Sequence, residues 1–334
     1  MARSSLGPGL DGILVVAKPA GPTSHDVVVK VRRRLRSPGA GHLGTLDPAA
    51  SGLLLVALGA ATRAIPVWQG GEKTYEGVAH FGLITSTQDA EGEVIDERPT
   101  DTLDEAAVRL ASRAFVGEID QVPPMVSAVK VRGERLHQLA RRGLEIPRAP
   151  RRVRVIEWEW LKIALPQASF RVRCSGGTYI RTLVHDLGQA LGTGAMLNGL
   201  RRTRSEPFGL ERSVTLADLD RLPPSEVFAQ GGIRLDEALK GLPEVTLDES
   251  AAIEAGMGGR PLVDPGQAPV GGGERSVVLR DESGKALALG ELTAADSGDR
   301  AYVCPHVVFP WAVRTGRRIR HEGVPWEALA EPRG

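Results

Sequence analysis

A chain of 334 residues with 42% apolar residues is long enough to bury a sizeable core and to form two domains. The first residues lack the apolar stretch of a signal peptide, and no apolar run reaches the roughly 18 residues of a membrane-spanning helix. We therefore expect a soluble, cytoplasmic protein. Cys174 and Cys304 lie far apart without the spacing of zinc or redox motifs, so reduced thiols are expected.

Charge is unevenly distributed, although the net charge is only +1. Residues 130–154 are rich in Lys and Arg, residues 85–120 are rich in Asp and Glu, and further arginine clusters occur at 32–36, 201–204 and 314–320. Such clusters suit contact with a phosphate backbone, but each one taken alone is more typical of a solvated surface.

The N-terminal part predicts strands at 12–16, 53–58 and 73–81 from their apolar or alternating patterns. A helix should follow the first strand, because Thr23 or Ser24 can cap it and Val27, Val31 and Leu35 recur at helical spacing.

The middle of the chain predicts a helix after a capping-box pattern at Thr102–Glu105. Further strands are expected at 126–131, 153–161 and 170–174, with helices at 135–142 and 179–191. These elements do not alternate as regular βαβ units, so the pattern favours an α+β fold with a mixed, mostly antiparallel sheet flanked by helices.

Composition changes after about residue 225, where Pro and Gly become frequent, and we place a domain boundary near residue 240. A hairpin over 276–292 and a strand over 301–309 predict a small β-rich domain at 241–334, following a larger domain at 1–240.

The sequence contains none of the common cofactor-binding or hydrolase motifs: it has no P-loop, HExxH, nucleophile elbow or dinucleotide fingerprint. The seven histidines are scattered without ligand spacing. We expect neither a metal nor a cofactor.

The most unusual segment runs from Gly41 to Gly52, where glycines, Pro48 and small residues surround His42 and Asp47. Glycine allows close approach of the backbone to a ligand, and the following apolar strand can anchor the loop, so Asp47 could be presented rigidly. An Asp-Pro pair more commonly begins a simple turn, and the spacing alone leaves both interpretations open.

The segment GHLGTLDPAASGLLLVALGAATR resembles the catalytic loop of the TruB family of tRNA pseudouridine synthases. The resemblance continues in order over roughly residues 10–215, through Lys18 to Ser24, Lys73-Thr-Tyr75, Pro123 to Lys130, Gly176 to Thr182 and Leu200-Arg-Arg202. It implies the pseudouridine synthase fold, and the C-terminal domain is similar in position and pattern to the family's RNA-binding PUA domain.

The resemblance implies isomerisation of uridine to pseudouridine at position 55 in the tRNA T loop, without cofactor. Asp47, Tyr75 and Arg181 match the family's catalytic positions: the carboxylate acts on ribose or base, the tyrosine stacks on the base, and the arginine pairs with the aspartate. His42 matches the residue that fills the space left by the flipped base. Substrate-binding positions match at Tyr179, Leu200, Lys18 and Lys130.

Two alternatives stay open: a guide-dependent pseudouridine synthase component, and an RNA-folding module with little catalysis. The catalytic positions are occupied, and the chain lacks the Lys-rich extensions expected of guide-dependent relatives. We therefore expect a monomer that acts on the T arm and T loop of tRNA, with no obligatory protein partner and no membrane contact.

Overall fold

The computed structural model describes residues 10–127, 130–131, 134–136, 142, 144, 146–266, 268–270, 276–295 and 300–312. Across these ranges no helix combines the length and hydrophobicity needed to cross a membrane.

A large mixed sheet forms the centre of the molecule. Its strands are β1 Gly12–Lys18, β2 Ala40–His42, β3 Ser51–Leu58, β4 Lys73–Phe81, β7 Gly117–Gln121, β10 Arg151–Ala164, β11 Gln167–Cys174, β12 Ala195–Ser205, β13 Phe208–Gly209, β14 Val214–Thr215 and β15 Gly232–Arg234. The main order is β14-β1-β3-β12-β4-β11-β10-β7, while β2, β13 and β15 pair with β3, β12 and β1. Within the described strands of this sheet only β1–β14 and β3–β12 are parallel pairs, which confirms a mixed, mostly antiparallel sheet.

Two small ribbons lie outside the large sheet. One pairs β5 Leu83–Thr85 with β6 Val94–Glu97, and the other pairs β8 Lys130–Val131 with β9 Glu134–Arg135.

Helices cover the sheet. The described α-helices are α1 Ser24–Leu35, α2 Ile65–Gln69, α3 Glu105–Arg113, α4 Ile180–Ala190, α5 Leu216–Arg221, α6 Pro224–Gly231, α7 Leu235–Ala238 and α8 Glu249–Gly256. Helix α1 begins at a full capping box between Thr23 and Asp26 and buries Val27, Val31 and Leu35. These three side chains share one apolar cluster with Leu54 and Val56 of β3.

A second sheet lies in the C-terminal part, with β16 Glu244–Leu247, β17 Leu262–Val263, β18 Val277–Asp281, β19 Ala286–Ala294 and β20 Ala301–Val308 in the order β16-β18-β19-β20-β17. This confirms the expected hairpin and the strand-rich C-terminal region. Ile13 of the large sheet shares an apolar cluster with Val278 and Phe309, so the two sheets are joined by buried surface.

Two of the predicted elements differ from the structure, and a third lies mostly outside the described residues. The helix predicted from Thr102 begins at Glu105 instead, because the Asp104 side chain accepts the Ala107 N–H and is the actual N-cap. The strand predicted over 126–131 is wrong at its start, since Val126 and Ser127 lie in a bend and only Lys130–Val131 is strand among its described residues. The helix predicted over 135–142 lies mostly outside the described residues.

Candidate active site

Asp47 lies on the loop between β2 and β3, and buried polar contacts hold that loop from below. The Ser24 hydroxyl donates to the Leu46 carbonyl at 2.9 Å and accepts the Leu46 N–H at 2.8 Å. The buried Lys18 ammonium donates to the carbonyls of Pro48 and Ala50 at 3.1 and 2.7 Å. These bonds satisfy the backbone on both sides of Asp47 and leave its carboxylate half-exposed.

Arg181, near the start of α4, meets two carboxylates. Its Nε lies 3.0 Å from Asp47 Oδ2, and its Nη1 lies 3.3 Å from Asp89 Oδ2. The same guanidinium donates to the carbonyls of Thr87 and Val126 at 3.0 and 2.8 Å. Because Arg181 is only 4% exposed, these partners fix one orientation of the arginine and aim it at Asp47.

Asp89 is itself held in place. Its Oδ1 accepts a hydrogen bond from the Thr87 hydroxyl and another, at 3.1 Å, from the Glu91 N–H. An isolated parallel bridge to Leu197 of β12 attaches this turn to the large sheet. The arginine therefore joins a surface carboxylate on one side to a buried, anchored carboxylate on the other.

A cavity of about 290 Å³ opens beside Asp47. Its walls come from the Asp47 loop, β4, the start of α4 and β12, and the lining residues are Gly44, Thr45, Leu46, Asp47, Gln69, Lys73, Tyr75, Ser127, Gly177, Thr178, Tyr179, Ile180, Arg181, Leu200 and Arg202.

Tyr75 and Lys73 project from the same face of β4 into this cavity, because side chains two residues apart on a strand share a face. Burial raises the pKa of the Tyr75 phenol above its ordinary value, so the ring is present as the neutral phenol at physiological pH. Arg202 of β12 lies directly opposite Tyr75 in the sheet, and its positive charge partly opposes this rise in the pKa of the phenol.

The structure brings most of the predicted site residues together. Tyr179 and Leu200 line the cavity with the three catalytic candidates. His42 lies on β2, outside the cavity lining, and burial lowers its pKa below the ordinary value, followed by the effects of Arg202 and His25. Its Nδ1 is buried without a hydrogen-bond partner.

The two predicted lysines have different outcomes. Lys18 is beneath the Asp47 loop, where its hydrogen bonds go to backbone carbonyls. Lys130 is at the start of β8, and its side chain lies outside the described structure.

Sequence reasoning missed the supporting residues. Asp89 was predicted only as one acid in an acidic stretch, and Ser24 only as a possible helix cap at the end of a segment that resembles the family. Gln121, on β7, uses its side-chain amide to bond both the N–H and the carbonyl of Tyr179, at 2.8 and 3.0 Å. A lone Asp, Ser or Gln carries no local signal for such long-range contacts.

Within the described ranges no group of three or more His, Cys, Asp or Glu side chains is arranged to hold a metal ion. The arrangement offers a carboxylate, a paired arginine and an aromatic ring around one cavity. These groups can hold a planar ring and act on a bond beside it by nucleophilic attack or proton transfer.

Two family models match the chain. Residues 32–180 match the TruB family pseudouridylate synthase N-terminal domain, and residues 181–240 match the tRNA pseudouridylate synthase B C-terminal domain.

Relatives and solved structures agree with these matches. The tRNA pseudouridine synthase B of Opitutus terrae is 47% identical over 218 residues, covering 65% of this chain and 90% of that protein. The Thermobifida fusca protein of the same name is 48% identical over 217 residues, covering 63% and 74%. A crystal structure of a Cbf5-Nop10-Gar1 complex aligns with a TM-score of 0.69 at 30% identity, covering 89% of this chain and 84% of that one.

Proposed function

This chain belongs to the TruB family of pseudouridylate synthases, and we propose that it isomerises the uridine at position 55 of the tRNA T loop to pseudouridine. The observation that carries the proposal is the contact of 3.0 Å between Arg181 and Asp47 at the edge of a cavity that Tyr75 also lines. The curated relatives named tRNA pseudouridine synthase B support tRNA as the substrate.

The reaction needs no redox partner. The electron pair of the C1′–N1 bond leaves with N1, so that the uracil becomes an anion and C1′ becomes electron-deficient. The Asp47 carboxylate then either bonds to C1′ or removes the C2′ proton, and both routes leave the sugar neutral. After the base turns, its C5 bonds to C1′ while the Asp47–C1′ bond breaks or Asp47 returns the proton to C2′, and this step makes the base neutral. C5 then loses its proton and N1 gains one, which gives pseudouridine.

The roles of the cavity residues follow from their positions. Arg181 keeps Asp47 oriented through the fork of its guanidinium. The Tyr75 ring offers a stacking face to the base, while Tyr179 and Leu200 form further walls.

The target base must leave its stack to enter this cavity, at a cost of a few kcal/mol. We assign His42 to the space that the base vacates, because the loop that carries Asp47 follows β2 directly. Burial keeps the imidazole neutral at physiological pH, and a neutral aromatic ring is suited to stacking in an RNA loop.

We assign residues 1–240 to a catalytic domain and residues 241–334 to a PUA-like RNA-binding domain. The separate five-stranded sheet in the C-terminal part supports this division. A second RNA-contacting surface would let the protein bind the T arm while the loop enters the cavity. We propose that it acts as a monomer without guide RNA or an obligatory partner.

The test uses purified protein and a T-arm stem-loop transcript, without guide RNA. Wild type should convert the single target uridine, and Asp47→Asn, which keeps the shape but removes the charge, should not. A wild-type protein that binds the transcript and forms no pseudouridine would refute the proposal. Conversion only after addition of a guide RNA would support the guide-dependent alternative.

The RNA-folding alternative is addressed with the same variant. If Asp47→Asn still speeds folding of a misfolded tRNA, the binding surface acts independently of the chemistry. Wild type should then show both activities and the variant only one.

A further inference from the structure

Two cations, Lys73 and Arg202, lie side by side at the cavity beside Asp47, and no carboxylate among the described residues pairs with either. Lys73 is 5% exposed and Arg202 is 1% exposed. Neither forms a salt bridge within the described part of the chain, in contrast to Arg181, which meets two carboxylates.

Among the described residues, the hydrogen bonds of both side chains go to neutral backbone carbonyls. The Lys73 ammonium donates to the carbonyls of Gln69 and Gly71 at 2.9 and 2.6 Å. Arg202 donates to the carbonyls of Leu53 and Gly44 at 2.8 and 3.1 Å. Burial of unpaired charge is costly, and two like charges together increase that cost. A neutral donor such as a glutamine amide could form hydrogen bonds with these carbonyls, so the bonds alone do not explain why both residues are charged.

The two cations converge on Gly44 of the Asp47 loop. A Cβ atom at Gly44 would lie 3.4 Å from Arg202 Nη1 and 3.7 Å from Lys73 Cε. Gly44 has φ +85°, a conformation that side chains rarely adopt. Glycine here keeps the space beside both cations free of a side chain on the loop side of the cavity.

We propose that Lys73 and Arg202 form a cationic floor that stabilises the negative charge on the uracil ring while it is detached from the ribose. Lys73 is the catalytic member, since its ammonium has three donors and only two bonds to described groups. Arg202 adds to the same field from the position opposite Tyr75 in the β12–β4 pairing. The inference rests on the proposed function, because only cleavage of the C1′–N1 bond makes the base anionic.

The reaction creates a negative charge only transiently, which explains why Lys73 and Arg202 have no permanent carboxylate partner among the described residues. When N1 takes the electron pair of the glycosidic bond, the charge spreads over N1, O2 and O4 of the ring. It disappears when C5 bonds to C1′, after which C5 loses its proton and N1 gains one. A cation fixed beside the ring stabilises this anion more than it stabilises neutral uridine, which is the condition for acceleration.

The ionisation of Lys73 provides a specific signature. Burial, followed by the neighbouring Arg202 charge, lowers its pKa to about 8. The other titratable groups facing it are the Cys174 thiol from β11, whose pKa is raised to about 11, and the Tyr75 phenol, whose pKa is also raised. Glu72, which precedes it, pairs with Arg173 at 3.6 Å. If cationic Lys73 is required, the rate should fall as pH rises through about 8.

The experiment measures the single-turnover rate constant from tritium released at C5 of the target uridine, with enzyme saturating over a T-arm stem-loop. Lys73→Gln retains a donor for the carbonyls but removes the charge, whereas Lys73→Arg retains the charge. Arg173→Gln is a matched control that removes one neighbouring, solvent-exposed cation. RNA dissociation constants and melting temperatures are measured for all four proteins.

We expect Lys73→Gln to lower the rate constant roughly 100-fold, in the range for loss of one preorganised electrostatic contact, while RNA binding is unchanged. Lys73→Arg should retain most of the rate and remove the decline near pH 8. Arg173→Gln should match wild type.

Three results would overturn the proposal: a fast Lys73→Gln, a folded Lys73→Arg as slow as Lys73→Gln, or a flat wild-type profile between about pH 7 and 9.5. If Lys73→Gln melts at the assay temperature, the profiles of wild type and Lys73→Arg still decide. An inactive wild type would instead refute the proposed function.

Discussion

Ser24 offers a direct test of how the Asp47 loop is held, because its neighbour Thr23 serves as a matched control. Ser24 is 2% exposed, and its hydroxyl forms both of its hydrogen bonds with the backbone of Leu46. Thr23 caps the same helix and has no contact with the loop among its hydrogen bonds. Ser24→Ala therefore perturbs the loop and Thr23→Ala perturbs only the helix end.

The magnitudes follow from the bonds lost. Ser24→Ala removes two hydrogen bonds and leaves a buried N–H and a buried carbonyl unpaired, so we expect a loss of about 2–4 kcal/mol in the free energy of unfolding. Thr23→Ala removes an N-cap and should cost about 1 kcal/mol. Loss of both loop bonds also lets Asp47 move relative to the base, and a displacement of about 1 Å can lower a rate by about 100-fold.

The assay compares urea denaturation with single-turnover pseudouridine formation at a temperature where both variants are folded. Ser24→Ala should lower the rate constant at least tenfold, and Thr23→Ala should leave it near the wild-type value. Equal rate constants for the two variants would show that the hydroxyl bridge does not position the catalytic loop.

Three further changes probe the surroundings of the cavity. Asp89→Asn removes the buried carboxylate from Arg181 and should slow single-turnover conversion by about tenfold or more, whereas Glu91→Gln, on an exposed side chain, should not. An equal rate for both would contradict a role for the second ion pair. Gly44→Ala should lower the single-turnover rate constant more than Gly192→Ala does, because both glycines have positive φ but only Gly44 lies beside Lys73 and Arg202. Equal rate constants for the two purified variants would contradict this expectation. Gln121→Leu leaves the partly buried Tyr179 N–H unpaired, whereas the Tyr179 carbonyl still accepts the Leu183 N–H, so the unfolding free energy should fall by about 1–2 kcal/mol, measured by urea denaturation.

Elements with a clear local pattern could be predicted from the sequence. The apolar run before Leu58 forms the buried strand β3, and the valine stripe of α1 faces the core. A local pattern does not choose between two caps two residues apart, which is why Thr102 was predicted and Asp104 is observed. The bend at Val126 is set by a distant partner, since its carbonyl accepts from Arg181.

The candidate site divides in the same way. Resemblance identified Asp47 and Arg181, and the structure places them 3.0 Å apart. Asp89 could not be assigned, because its contact with Arg181 spans 92 positions along the chain and depends on how the turn after β5 meets β12. Likewise, Arg202 seemed part of a surface arginine cluster, whereas its place in the middle of the large sheet buries it completely.

The neighbouring strands β3, β12 and β4 also determine which molecule must change shape during recognition. The Asp47 loop leads into β3, Arg202 projects from β12, and Tyr75 projects from β4. Moving these strands apart would break ladder hydrogen bonds in the interior of a sheet, so the wall of the cavity that they form is rigid. The RNA must therefore change shape for its target base to enter the cavity. Among RNAs with the same target nucleotide, those whose loops open more easily should be modified faster.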